Sequence, residues 1–121
     1  MIEQLISRVF ATRNAAHLTH WRTKSYAQHV ALNDFYDGVL DSLDTLVEAH
    51  QGAFELVGEV PSTTVKVDGA GSTIIKRLEA DLVWINDNRA KITEGLPSLD
   101  NMLQDMEGVY LKALYKLRNL S

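Results

Sequence analysis

Apolar residues recur at three- and four-residue steps over most of this 121-residue chain. That is the period of an α-helix and not of a strand. Ile2, Leu5, Ile6, Val9, Phe10, Ala16 and His20 form one stripe, which predicts a first helix at about 2–22. Tyr26, His29, Leu32, Tyr36, Leu40, Leu43 and Val47 form a second, predicting a helix at about 25–51 with Ser25 as its N-cap and Gly52 as its stop. The period then lapses. GEVPSTTVKVDGAGS, residues 58–72, is rich in Val, Thr and Gly and reads as a long connection with at most a short extended piece. Ser72 is the expected cap of a third helix at about 72–93, built on Ile74, Ile75, Leu78, Leu82 and Ile85. Gly95 ends it. Pro97 opens a fourth helix at about 97–119, carrying Leu99, Met102, Leu103, Met106, Tyr110, Leu114 and Leu117.

Four helices, with short first and third links and a long second one, predict an all-α fold: a ferritin-like four-helix bundle with a crossover between helices 2 and 3. A link of roughly 20 residues is long for a loop. It is explained if it must run the length of the bundle to start the third helix parallel to the second. Periodicity by itself leaves a simple up-down bundle open. The whole chain, 1–121, reads as one domain.

Composition narrows the function. Charged residues make up 23% and the formal charge is −4, which disfavours a broad nucleic-acid surface, so no strong nucleic-acid binding is expected. No apolar run is long enough to cross a bilayer, and IEQLISRVF lacks the flanks of a signal peptide. A cytoplasmic location and no membrane partner are therefore expected. Without cysteine, His and carboxylate are the strong metal ligands available.

Those ligands cluster. Asp44 and Glu48 are four apart, on one face of the second helix. Alone, such a pair reads more readily as a solvated helix face than as a site, and Asp34, Asp37 and Asp41 extend that acidic face. His29 shares the face but lies fifteen residues before Asp44, about 22 Å along the axis. One metal cannot bridge that distance within a chain. A two-fold axis resolves it: a copy of the helix packed antiparallel, crossing near Tyr36, Asp37 and Gly38, sets His29 of one chain against Asp44 of the other. Gly38 is expected to admit the close approach. RTKS is short enough for His20, at the end of the first helix, to lie beside His29. The set His20, His29, Asp44 and Glu48 suits Fe(II) or another first-row divalent ion, zinc included. His17, one turn before His20, is a further candidate ligand.

The pattern His20-Trp21, then His29, Asp44 and Glu48, resembles the ferroxidase motif of the Dps miniferritins. The resemblance is best over residues 16–52. It implies that His residues of one subunit and Asp and Glu of a two-fold-related subunit hold iron (Fe2+/Fe3+) while it is oxidised by peroxide or dioxygen. On that reading His20, His29, Asp44 and Glu48 are the catalytic set. The protein would then be a homo-oligomer built from two-fold dimers, with a dodecameric shell as one candidate closure. The family usually spaces its two histidines by twelve residues. His20 and His29 are nine apart, whereas His17 and His29 are twelve apart, but Leu follows His17 where the family has Trp. The segment HWRTKSYAQHVALNDFYDGVLDSLDTLVEAHQG also resembles a group of small phage-encoded ferritin-like proteins.

Other chemistries find less support. No Glu is followed three residues later by His, so the ordinary ferritin site is not expected. HLTH could bind zinc but lacks the Glu of a metalloprotease helix. No phosphate loop and no Ser-His-Asp set is visible. GAG at 69–71 reads as turn chemistry, His50 as a surface residue, and Trp21 as a core or interface aromatic. Tyr26, Tyr36 and Trp84 read as core. The competing function is a non-catalytic helical interaction protein on the same fold, such as a phage accessory protein.

Overall fold

In the computed structural model, which describes all 121 residues, the chain forms four helices and no strand: α1 Ile2–Arg22, α2 Tyr26–Ala53, α3 Gly71–Thr93 and α4 Pro97–Asn119. α1 and α4 each pack against α2 and α3. Every neighbouring pair is antiparallel: His20 meets His29 where Arg13 meets Tyr36, Gly69 lies on Arg22 where Asp81 lies on Arg8, Gly38 faces Val109 where Asp34 meets Lys116, and Arg89 meets Asp100 where Glu79 meets Arg118. Arg13 and His17 of α1 lie against Tyr36 of α2. Arg8 of α1 pairs with Asp81 of α3. Lys116 of α4 reaches Asp34 of α2, and Arg118 reaches Glu79 of α3. The core between the four helices is aliphatic, with Phe35 and Tyr110 meeting edge to face at its centre.

Local chemistry explains the boundaries. Ser25 accepts the N–H of Gln28 at 3.2 Å and caps α2. Glu94 (φ 50°) and Gly95 (φ 80°) are both left-handed, so the chain leaves α3 and re-enters a helix at Pro97 within a few residues. The start of α3 differs from expectation. Its N-cap is Ala70, and Ser72 sits inside the first turn. No side chain caps it; Asp68, just upstream, accepts the Ala70 N–H at 2.8 Å and the Thr73 hydroxyl at 2.9 Å and so ties the entry to the first turn. Those bonds hold its carboxyl below the usual range.

Residues 54–70 carry no regular structure, yet they are anchored from one end of α1 to the other. Gly58 N–H donates to Glu3 at 2.9 Å, and Ser7 donates to the Pro61 carbonyl at 2.6 Å. Gly69 (φ 79°) passes so close to Arg22 that a Cβ there would meet the Arg22 side chain at 3.2 Å. Val57, Val60, Val65 and Val67 pack against the core while Thr64, Lys66 and Asp68 are exposed. The β-branched run therefore lies extended along the bundle without a strand to pair with.

Gly38 departs from its expected role. The space left by its missing side chain faces Val109 of α4, and a Cβ would meet Val109 Cγ1 at an ordinary 3.5 Å. It faces α4, about 150° around α2 from the middle of the His29–Asp44 face. Gly38→Ala is accordingly expected to raise the unfolding free energy by about 0.5–1 kcal/mol, the usual helix-interior difference. Urea unfolding with a lowered midpoint would contradict that placement.

Candidate functional site

The first hairpin brings two of the expected ligands together. His20, at the end of α1, is buried, and His29, one turn into α2, is exposed. Their rings stack with centroids 3.7 Å apart and planes 17° from parallel. Each holds the other's backbone: His20 Nδ1 lies 2.6 Å from the His29 carbonyl, and His29 Nδ1 lies 2.9 Å from the His20 carbonyl. A carbonyl oxygen can only accept, so both Nδ1 atoms carry protons. In the neutral ring Nε2 then carries the lone pair, the form in which imidazole ligates a metal, with its orientation fixed by a bond to the other nitrogen.

His17 is close but differently engaged. Its ring stacks on Tyr36 at 4.0 Å and lies 4.2 Å from Trp21 and 6.0 Å from His20. Burial first, then the charges of Arg13 and His20, push its pKa down, against a smaller upward pull from Asp37. Trp21 is 66% exposed and Tyr26 81% exposed, so neither belongs to the core. Phe10, expected in the first apolar stripe, is also exposed.

Asp44 and Glu48 are exposed on α2 and bond to no side chain of their own chain. α2 runs unbroken from Tyr26 to Ala53, so the axial separation of His29 from Asp44 is that of a straight helix, about 22 Å. No three His, Asp or Glu side chains converge anywhere in the single chain. The hairpin thus offers two nitrogen donors, and the carboxylates lie on the same face four turns away.

Two polar features were not anticipated. His50 is not a surface residue: it is 8% exposed and its Nδ1 is buried without a partner. It continues the core stripe of Leu43 and Leu46 and stays apart from the other three histidines, at the opposite end of α2. The second is Asp81, 1% exposed in the middle of the bundle. It accepts from Thr12 at 2.5 Å, Tyr110 at 2.7 Å and Arg8 at 3.0 Å, so α1, α3 and α4 meet on one carboxylate. Burial, and then the Asp81 charge, push the Tyr110 phenol well above its ordinary value and keep it a donor. The signal was spacing: Asp81 stands between Leu78 and Ile85, and Thr12 between Val9 and Ala16, each on a core step.

Fold and hairpin together define an all-helical four-helix bundle with an ordered imidazole pair at one end. The chain belongs to DUF5856, a family of unknown function, whose model matches residues 20–117. That span contains His20, His29, Asp44 and Glu48 and leaves His17 outside. No curated protein and no solved structure matches the chain. No helix is long and apolar enough to cross a membrane.

Proposed function

We propose that the protein is a ferritin-like iron-binding protein of the Dps miniferritin kind. His20 and His29 of one copy, with Asp44 and Glu48 of a two-fold-related copy, would hold Fe(II) between subunits. The supporting observation is the reciprocal locking of the two imidazoles, which leaves both Nε2 lone pairs free beside an exposed helix face whose carboxylates have no partners of their own. Two imidazoles and two carboxylates suit Fe(II) and stabilise the charge of the ferric product. With peroxide as oxidant the balance closes. Two ferrous ions each give up one electron, the O–O bond breaks, and two protons complete two waters. The role of this chain's residues is to bind and orient the metal. The cytoplasm, a two-fold dimer and a larger closed shell are the setting that this reading implies.

Anaerobic addition of Fe(II), followed by peroxide and by ferric absorbance, tests the proposal. Oxidation at least about tenfold faster than in protein-free buffer is expected, and His20→Ala should reduce it to near the buffer rate. A wild-type rate equal to buffer would reject iron turnover.

A second reading is favoured by the fact that one chain assembles only two ligands. On it, the protein is a non-catalytic helical interaction partner, and the His20–His29 bonds serve to clamp the hairpin. His20→Ala would then lower stability with no change in metal content, because there would be no bound metal to lose.

A further inference from the structure

Away from the histidines, on the opposite flank of α1, a recess of about 660 Å³ opens between α1 and α3. Its origin is in the sequence. Ala11 of α1 and Ala80 of α3 both line it, where longer side chains would fill the gap. Pro61 and Thr63 of the 54–70 segment form one wall, and the Ser7–Pro61 hydrogen bond fixes that wall in place. The volume is that of a site for a small organic molecule.

The lining is cationic although the whole chain is acidic. Arg8, Lys76 and Arg77 face it, and the only acid among its lining residues is Asp81. Asp81 is already satisfied by Thr12, Tyr110 and Arg8. Lys76 and Arg77 form no ion pair and are free to meet a ligand. Arg8 is held from behind by the buried Asp81 and lies 5.1 Å from the Trp84 ring centroid. Only its Nη1 is spent on the carboxylate, so a planar fork of donors is oriented before any ligand arrives.

The geometry points to this recess as a binding site for a phosphate-bearing small molecule, with Arg8, Lys76 and Arg77 as its donors. Pre-oriented guanidinium groups match phosphate oxygens in pairs, and lysine adds a mobile point charge. Such a site is independent of iron binding at the first hairpin.

Trp84 gives a direct readout once Trp21→Phe removes the only other tryptophan. In that background the full-length protein is titrated with pyrophosphate and with adenosine triphosphate at constant ionic strength, following indole emission and binding heat. Saturable binding with Kd at or below about 1 mM is expected for at least one of them. Lys76→Ala with Arg77→Ala should weaken it about tenfold or more while leaving the melting curve unchanged, since both side chains are unpaired. Equal affinity for the two probes identifies the phosphate group alone as the ligand. Tighter triphosphate binding identifies a nucleotide with its base near Trp84. No saturation by either probe, an equal response to sodium sulfate, or unchanged binding in the double variant would overturn the assignment.

Discussion

Asp81→Ala is expected to lower the unfolding free energy by about 3–5 kcal/mol, a large part of the 5–15 kcal/mol typical of a domain this size. The change removes the acceptor of three donors in the centre of the bundle. Thr12 and Tyr110 are both fully buried, so their hydroxyls cannot turn to solvent. Arg8 loses its counter-charge but keeps access to water, which places the loss at the lower end of that range. Asp81→Asn preserves the shape and one acceptor oxygen and should cost less, about 1–3 kcal/mol. Tyr110→Phe removes one donor and leaves a carboxylate with two others, for about 1 kcal/mol.

The same group sets a limit at alkaline pH. The folded-state pKa of Tyr110 is raised, so its stabilising contribution is complete below the phenol's unfolded value near 10 and is lost as pH rises above it. Denaturant unfolding followed by circular dichroism checks both effects. An Asp81→Ala midpoint within error of wild type would show that the carboxylate does not hold the three helices together.

That the core contains an ion at all shows where the sequence was readable and where it was not. Helix existence followed from apolar spacing, and boundaries followed where a residue has one strong physical role. Ser25 caps because its hydroxyl reaches the Gln28 N–H, and the Gly95–Pro97 pair both breaks and restarts the chain. Ser72 was a similar signal that failed because α3 already begins at Gly71, which puts Ser72 inside the first turn.

Gly38 and His50 failed for a different reason. Spacing gives the angle of a residue on its helix but not which neighbour occupies that angle. Gly38 turned out to face α4, and His50 the core. Asp81 and Thr12 were on core steps from the start, but polar residues there are read as surface until three partners in three different helices are seen. The His20–His29 pairing was legible because a three-residue link leaves two helices little freedom at that end. Nothing in a single chain brings Asp44 and Glu48 to the imidazoles, so that half of the candidate site depends on assembly.

Mixing two inactive variants should restore iron oxidation. His29→Ala chains lack a nitrogen ligand and Asp44→Ala chains lack a carboxylate, so homodimers of either have no complete site. If each site draws His29 from one copy and Asp44 from the other, a mixed dimer places both defects in one site and leaves the second intact. Random exchange at equal concentration makes half of the dimers mixed, so about a quarter of all sites recover. The companion mixture, wild type with a chain carrying both substitutions, tests the same geometry from the other side. Its mixed dimers have one defect in each site, so only wild-type dimers work, and activity should again be about a quarter of the undiluted wild type. A site contained within one chain gives opposite results: nothing in the first mixture and about a half in the second. With exchange shown by mass spectrometry, activity patterned as nothing and a half would reject the shared site. Values near a quarter in both mixtures would mean that α2 faces a second copy of itself across the stripe that carries His29, Asp44 and Glu48.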